Sequence, residues 1–243
     1  APLPADRLCV YGSNLTYWND AAEEKLFQQR GHVLWGVEAR KTKKGIIDLR
    51  KRARQKGYRT IGVPARDTGK KGPLSTSGGE ILLASTSLVT RKLTQVQGLV
   101  REAVPKERIV LCTVALKQMT ILIGCVYFHT GVGLEGPNLA LLWELRLVIR
   151  LLKLPFVLFG DFNIPIQEFI EHGWAQDMQA QAVAAPNENH TCTVGAVQIL
   201  DYLVLSECLR PLLHNYIADR HVPWRPHFAL RFELLTQPQV VMI

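Results

Sequence analysis

The sequence contains few cysteines, and their placement excludes a cysteine-based metal or disulfide framework. Five cysteines are spread over 243 residues, with no CxxC pair and no cluster of Cys and His. An odd number of widely separated cysteines, most of them inside apolar segments, is typical of a reducing compartment. We therefore expect free, mostly buried thiols and no zinc site.

Long hydrophobic runs are also lacking. No apolar stretch has the length of a membrane span, and the first six residues lack the basic and apolar regions of a signal peptide. We expect an intracellular, nuclear protein with no membrane partner, and we assume a monomer. Because the chain begins without Met, we also expect a domain excised from a longer polypeptide.

Negative charge is scarce between residues 40 and 71, where thirteen Lys or Arg face two Asp. This local excess is larger than the net charge of +8 of the whole chain. A patch this concentrated is the signature of a protein that binds a polyanion, although a solvated helix face gives the same pattern. The candidate contacts to nucleic acid are Arg40, Lys41, Lys43, Lys44, Lys70 and Lys71.

Hydrophobic residues, by contrast, make up 47% of the chain, enough for one large domain over residues 1–243. Two strand-like runs at 109–116 and 119–128, separated by two residues, predict a hairpin. Apolar residues at helical spacing predict one helix over 138–153 and a second, strongly basic helix over 46–57. Strands mixed with helices, without an internal repeat, predict an α+β domain with two packed mixed β-sheets flanked by helices.

The tetrapeptide Gly160-Asp161-Phe162-Asn163 follows the apolar run 155–159. On an extended backbone, a carboxylate and a carboxamide two residues apart project from one face, so both can approach one phosphate or one metal-bound water. Gly, Asp and Asn are also ordinary turn residues, so a strand that ends in a turn explains the same sequence. The tetrapeptide alone does not separate the two interpretations.

Polar residues end or follow several other apolar strands. If these strand ends converge, they assemble carboxylates, amides and imidazoles around one small volume. The residues concerned are Asn14, Glu38, Tyr127, His129, Asp161, Asn163, Asp201 and His227.

In their order and spacing, these residues resemble the endonuclease/exonuclease/phosphatase superfamily of metal-dependent phosphodiesterases and phosphomonoesterases. The resemblance runs from about Leu8 to Phe232, and Gly78-Gly79-Glu80-Ile81-Leu82-Leu83 is similar to the family's glycine pair before an apolar strand. It implies the family's four-layer sandwich, hydrolysis of phosphate esters, and a Mg²⁺ cofactor for which Mn²⁺ can substitute.

The resemblance also implies a role for each residue. Glu38 is the main metal ligand, with Asn14 close by. Asp161 positions or deprotonates the attacking water, and Asn163 donates to the phosphate and fixes its orientation.

Three further roles follow from the same resemblance. His227 binds a non-bridging phosphate oxygen or acts as an acid, with its ring oriented by Asp201. Tyr127 contacts the phosphate or supports the leaving group, unless it only packs at its strand end. His129 shares or replaces that role, since pancreatic deoxyribonuclease, which this chain resembles there, carries a His just after the same strand as a second acid.

The chain departs from the family at one position. The family usually ends in Ser-Asp-His, whereas this chain reads Arg225-Pro226-His227, so the carboxylate beside the His is absent. This departure puts a second metal position and the full catalytic rate in doubt, while a one-metal mechanism survives. Asp219, eight residues upstream of His227, is a candidate replacement.

The basic segment directly follows Glu38 and favours a nuclease acting on DNA. Among nucleases, the chain is similar to apurinic/apyrimidinic endonucleases and to the endonuclease domains of non-long-terminal-repeat retrotransposons. Trp18 and Trp224 are candidates to stack on a base, or else core aromatics. Two alternatives remain open: a phosphatase or lipid phosphodiesterase of the same superfamily, and a nucleic-acid-binding domain whose catalysis has decayed.

Overall fold

Apolar strands that alternate with amphipathic helices build the fold. The structure, a computed structural model, describes residues 6–72, 75–93, 108–195 and 197–236, except the side chain of Lys92. The strands are β1 (Leu8–Asn14), β2 (Val33–Val37), β3 (Tyr58–Gly62), β4 (Arg66–Asp67), β5 (Thr76–Ser77), β6 (Ile81–Ser85), β7 (Thr90–Lys92), β8 (Ile109–Ala115), β9 (Thr120–Tyr127), β10 (Phe156–Asp161), β11 (Ala180–Val183), β12 (Asp201–Ser206), β13 (Leu213–Asp219) and β14 (Ala229–Leu234). The helices are α1 (Asp20–Gln28), α2 (Lys43–Gln55), α3 (Gly136–Leu152), α4 (Ile166–Glu171) and α5 (Trp174–Asp177), and a 3-10 helix spans Glu207–Leu212.

Within these described ranges, twelve strands form two mixed sheets of six. The first sheet has the order β13-β14-β1-β2-β6-β3, and the second has the order β11-β12-β10-β9-β8-β7. β1 runs parallel to β2 and β9 runs parallel to β10, whereas the other neighbours are antiparallel. The predicted hairpin is confirmed as β8 and β9, and the predicted helix over 138–153 is confirmed as α3.

The two sheets pack face to face around a shared core. Phe159 lies at its centre, with ring centroids 5.2 Å from Trp35 and 5.7 Å from Phe232. Burying a Phe side chain of this kind contributes about 1.5–3 kcal/mol. Because these aromatic residues come from strands of both sheets, they fix how the sheets, and therefore their edges, sit against each other.

Helices cover the outer face of each sheet. Leu26 of α1 and Leu49 of α2 are buried against the first sheet. Leu145 of α3, Phe169 of α4 and Trp174 of α5 are buried against the second. The layers therefore run helix, sheet, sheet, helix, and the predicted four-layer α+β sandwich is confirmed.

The basic helix α2 begins earlier and ends earlier than the predicted 46–57. Thr42 caps it, because its hydroxyl oxygen accepts a hydrogen bond from the Gly45 backbone N–H at 3.3 Å. The buried face of this helix consists of Ile46, Leu49 and Ala53. Most of its Lys and Arg side chains are therefore exposed.

The cysteines agree with the expectation of free thiols. All five are free; Cys112, Cys125 and Cys192 are buried, Cys9 is partly buried and Cys208 is exposed. Among the described residues, no helix is both long enough and apolar enough to cross a membrane.

Candidate active site

The two sheets bring the polar strand ends together at one edge of the sandwich. In the second sheet, Asp161 is in register with Tyr127 of β9 and with Asp201 of β12, so the three lie side by side. In the first sheet, Asn14 ends β1, and Glu38 directly follows the parallel strand β2. The hydrogen bonds described below join the two groups across the sandwich.

A tight turn, not extended backbone, joins Asp161 to Asn163. Gly160 has a φ of 147°, and a Cβ at this position would lie 2.1 Å from the Val126 carbonyl oxygen, so the site requires glycine. Asn163 is left-handed, with a φ of 51°, and its backbone N–H donates to Asp161 Oδ1 at 2.8 Å. The extended-strand argument for this pair is therefore wrong, but the turn brings the two side chains together by another route.

The Asn163 carboxamide is fully engaged inside the protein. Its Nδ2 donates to Asp161 Oδ2 at 3.1 Å and to the Phe128 carbonyl at 2.9 Å. Its Oδ1 accepts from the Thr130 hydroxyl at 3.2 Å. The predicted donation to a phosphate therefore requires Asn163 to exchange one of these bonds.

Asp161 is a buried carboxylate whose charge is partly stabilised. Asn14 Nδ2 donates to its Oδ2 at 2.8 Å, and the side chain is 1% exposed. Burial raises the pKa of Asp161 and the negative charge of Asp201 raises it further, while the nearby His227 and the Asn14 amide oppose the shift. A carboxylate with a raised pKa is suited to accept a proton near neutral pH.

His227 lies between two carboxylates. Its Nδ1 is 2.9 Å from Asp201 Oδ2, and its Nε2 is 3.7 Å from Asp161 Oδ2. Burial by itself would lower the pKa of His227, but the charge and the hydrogen bond of Asp201 outweigh it, so the pKa rises well above its usual value. The ring is therefore an imidazolium at neutral pH.

These three residues also form a potential cation site. One ligand atom from each of Asp161, Asp201 and His227 lies within 4.8 Å of the others, and all three are buried.

Asp219 does not replace the carboxylate that the chain lacks at position 226. Its Oδ2 accepts a hydrogen bond from the Tyr11 hydroxyl at 3.1 Å and lies 3.7 Å from Lys25 Nζ. The Pro226 carbonyl instead accepts two bonds from Thr193, from the backbone N–H at 3.0 Å and from the hydroxyl at 3.1 Å. Position 226 therefore anchors a neighbouring loop through its backbone.

Glu38 follows β2 in a left-handed conformation with a φ of 50°, and it is paired with Arg40. Arg40 Nη2 lies 2.6 Å from Glu38 Oε1, and the Glu38 side chain is 15% exposed. Arg40, predicted as a contact to nucleic acid, therefore points at the predicted metal ligand. The glycine pair explains how this loop is held, since Gly78 and Gly79 have positive φ and their carbonyls accept the N–H groups of Arg40 and Ala39 at 2.9 and 2.8 Å.

Tyr127 lies beneath a cation that the sequence did not single out. The Arg108 guanidinium carbon is 4.7 Å from the centre of the Tyr127 ring, and Arg108 Nη2 donates to the Ser77 hydroxyl at 3.3 Å. Burial raises the pKa of Tyr127 far above its usual range, so the phenol stays neutral and can donate a hydrogen bond.

His129 shares a small cavity of about 40 Å³ with Glu80 and Arg108. Burial raises the pKa of Glu80 to about 8, against the opposing charge of Arg108. The His129 backbone is fixed by Asn138, which accepts from its N–H at 2.6 Å and donates to its carbonyl at 2.9 Å. Glu80 was not singled out from the sequence, although a carboxylate directly before the apolar strand β6 was a visible signal.

The remaining predicted contacts to nucleic acid are exposed or partly exposed. Lys43 and Lys44 are exposed at the start of α2, Lys70 and Lys71 are exposed in the loop between β4 and β5, and Lys41 is partly buried.

The two tryptophans proposed for base stacking are core residues. Trp18 is fully buried, and its indole N–H donates to Glu23 Oε2 at 3.0 Å. Trp224 is 4% exposed, and its indole N–H donates to the Ser13 hydroxyl at 2.9 Å. The stacking hypothesis is therefore wrong for both, whereas the neighbouring Tyr17 is 54% exposed.

The sequence matches no protein-family model and no curated protein. The fold, however, is similar to solved structures over nearly the whole chain. The endonuclease domain of TRAS1, a telomere-specific non-LTR retrotransposon, has a TM-score of 0.67 at 15% identity, over 95% of this chain and 99% of that one. The 3' phosphatase NExo from Neisseria, bound to a product DNA hairpin, has a TM-score of 0.65 at 15% identity, over 93% and 99%.

A third similar structure is the AP endonuclease LMAP from Leishmania major, with a TM-score of 0.64 at 12% identity, over 96% of this chain and 89% of that one. At these identities the comparison concerns the fold and not the activity. The chain has the fold of the endonuclease/exonuclease/phosphatase superfamily, as the motifs of its sequence predict.

Proposed function

We propose that the protein is a Mg²⁺-dependent endonuclease that hydrolyses phosphodiester bonds of nucleic acid, with DNA as the expected substrate. The observation that carries the proposal is the buried row of contacts from Asn14 through Asp161 and His227 to Asp201. It pairs a carboxylate of raised pKa with an imidazolium, which are the base and the cation that phosphate hydrolysis needs. The DNA-bound NExo and the endonucleases TRAS1 and LMAP support the substrate class.

In the proposed reaction, Asp161 accepts a proton from the water whose oxygen attacks phosphorus. A new P–O bond forms as the bond from phosphorus to the leaving oxygen breaks. His227 donates its Nε2–H to a non-bridging oxygen, while Asp201 holds the opposite side of the ring. Tyr127 donates a hydrogen bond to the phosphate, and the leaving oxygen takes its proton from His129.

A divalent cation would be held by Glu38, with Asn14 close by, because carboxylate and amide oxygens suit Mg²⁺. Glu38 is already paired with Arg40, and the Asn14 carboxamide already bonds to Asp161 and Thr16, so the cation would share or displace these partners. When bound, the cation supplies charge that polarises the phosphoryl oxygens. Arg40 neutralises the same Glu38 carboxylate, so binding of the cation to Glu38 would replace the Arg40–Glu38 ion pair.

The basic residues support a polyanionic substrate. Lys43, Lys44, Lys70 and Lys71 are exposed, and each that contacts a phosphate makes binding more sensitive to salt. A nuclear location and a monomeric state stay predictions.

The test is cleavage of supercoiled plasmid, an abasic duplex and a single-stranded RNA across a Mg²⁺ titration. We expect the native protein to nick at least one of the three, and Asp161→Ala and His227→Ala to lose that activity. Cleavage of none of the three, in Mg²⁺ or Mn²⁺, would rule out the nuclease.

A nucleic-acid-binding domain with decayed catalysis is the second candidate, because position 226 lacks the usual carboxylate and Asp219 is bonded elsewhere. It predicts salt-sensitive binding of the same substrates without turnover. A phosphatase instead predicts release of phosphate from a 3'-phosphorylated strand, as the name of NExo suggests, without nicking of plasmid.

A further inference from the structure

An exposed aromatic side chain, Tyr17, lies in the loop that follows β1 and has no part in the proposed reaction. It follows Asn14 by three residues and is 54% exposed, whereas the next residue, Trp18, is fully buried. An aromatic ring left in solvent beside a site for nucleic acid is available to stack on a base.

The backbone on both sides of Tyr17 is fixed. The Thr16 N–H donates to Asn14 Oδ1 at 2.8 Å, and the Thr16 hydroxyl donates to the Arg225 carbonyl at 3.0 Å. The Trp18 N–H donates to the Ala39 carbonyl at 3.1 Å. The ring is thus presented from a rigid segment, which limits the entropy lost on stacking to its own side-chain torsions.

A lysine accompanies the ring. Lys41 Nζ lies 5.8 Å from the centre of the Tyr17 ring, within the range of a cation–π contact. Lys41 belongs to the same loop as Glu38, the predicted metal ligand, so the ring and the ammonium group lie together beside the candidate site. An aromatic face with an adjacent cation matches the base and the phosphate of one nucleotide.

We propose that Tyr17 and Lys41 form a subsite for one unpaired nucleotide near the scissile phosphate, with the ring stacked on the base and the ammonium on its phosphate. Bases inside a duplex have both faces covered by their neighbours, so stacking on Tyr17 selects substrates with an unpaired base at that position, such as a single strand, a flap or a gap. The inference rests on the proposed nuclease function.

The test uses strands in which an abasic spacer replaces one base at a time around the cleavage site. We expect the native protein to lose about fivefold or more in kcat/KM, mainly through KM, when the spacer occupies one particular position. Tyr17→Ala and Tyr17→Leu lose the same factor on the intact strand but are insensitive to the spacer there, and Tyr17→Phe behaves as native. Lys41→Gln should weaken binding of both the intact strand and the strand with the abasic spacer, and should lower the salt dependence of binding.

The matched control is Trp143→Ala, which removes the ring of another exposed aromatic–cation pair, 5.2 Å from Arg146 on α3. It should leave every rate unchanged. The subsite is overturned if Tyr17→Ala slows fully paired and unpaired substrates equally, if its effect persists at every spacer position, or if the control loses as much.

A binding measurement separates failure of this inference from failure of the proposed function. The measurement uses a strand with 2-aminopurine at the unpaired position, in EDTA, where no metal-dependent cleavage occurs. The native protein and Tyr17→Phe should quench the fluorescence of the 2-aminopurine, whereas Tyr17→Leu should not. If the native protein quenches this fluorescence but does not cleave in Mg²⁺, the subsite is supported and the nuclease function is contradicted. If the native protein cleaves in Mg²⁺ but all three proteins quench the fluorescence equally, the nuclease function is supported and the subsite is contradicted.

Discussion

His227 and Asp201 are joined by a buried hydrogen bond of 2.9 Å that connects the two sheets. His227 lies two residues before β14 of the first sheet, and Asp201 begins β12 of the second. The charge of the imidazole therefore depends on how the sheets pack.

Replacing Asp201 with Asn tests this relationship. Asp201→Asn keeps the shape of the side chain but removes the charge that favours the imidazolium, so kcat should fall by about 10²-fold or more. An NMR titration should show a lower pKa for His227. In a His227→Gln background, Asp201→Asn should lower kcat little further. If the factors by which the two single substitutions lower kcat simply multiply in the double variant, the residues act independently.

The rate should depend on pH through Asp161. This carboxyl must be ionised to accept a proton, and its pKa is raised, so kcat/KM should rise with pH and level off above the ordinary range for Asp. Asn14→Ala removes a hydrogen bond that stabilises the carboxylate, so its rising limb should move to higher pH at saturating metal. A rate already constant from pH 5 upward would contradict the role of Asp161.

Strand β10 should not tolerate a side chain at position 160, directly before Asp161. Gly160→Ala places a Cβ 2.1 Å from the Val126 carbonyl oxygen at a positive φ, so the free energy of unfolding should fall by about 3 kcal/mol or more. Gly131→Ala is the control, because Gly131 also has a positive φ but nothing within 4 Å of the added Cβ. It should cost about 1 kcal/mol, and equal costs in urea denaturation would contradict the steric argument.

Glu80 should oppose stability and support activity. The pKa of Glu80 is about 8 in the folded state and about 4.3 in the unfolded chain. Between these two values the carboxyl ionises only in the unfolded chain, so the fold loses stability as pH rises from about 4.3 through 8. Glu80→Gln cannot ionise and should therefore gain stability over the native protein on going from pH 5 to pH 9, on the order of 3 kcal/mol.

The same substitution should lower kcat if Glu80 supports His129 as the acid, and His129→Asn should then abolish the difference. A variant that is no more stable at pH 9 than at pH 5, relative to native, would mean that Glu80 ionises in the fold at its ordinary pKa, so that burial does not raise it.

The order of the polar strand ends could be predicted from the sequence, because it depends on strand lengths and on the apolar runs before each residue. Asn14, Asp161 and Asp201 all lie where a strand starts or stops, and the register brings them together. The turn after Asp161 could be predicted in part, since its residues favour a turn, but the close approach of Gly160 to Val126 comes from a neighbouring strand.

Contacts between distant segments were not readable. Asp219 is bonded to Tyr11, which lies 208 residues away, and no local pattern shows that it is unavailable to the site. The burial of Trp18 and Trp224 likewise depends on packing. The pairing of Arg40 with Glu38 is local, but it depends on left-handed backbone at both residues, which neither residue type favours.

Plasmid nicking by the native protein and by Asp161→Asn tests the central claim most directly. Asp177→Asn serves as the control, since it makes the same change on a side chain that is 56% exposed on α5. The proposed mechanism predicts Mg²⁺-dependent nicking by the native protein and by Asp177→Asn, removed by EDTA and reduced at least about 10²-fold in Asp161→Asn. Nicking at an equal rate by all three proteins, or in EDTA, would contradict it.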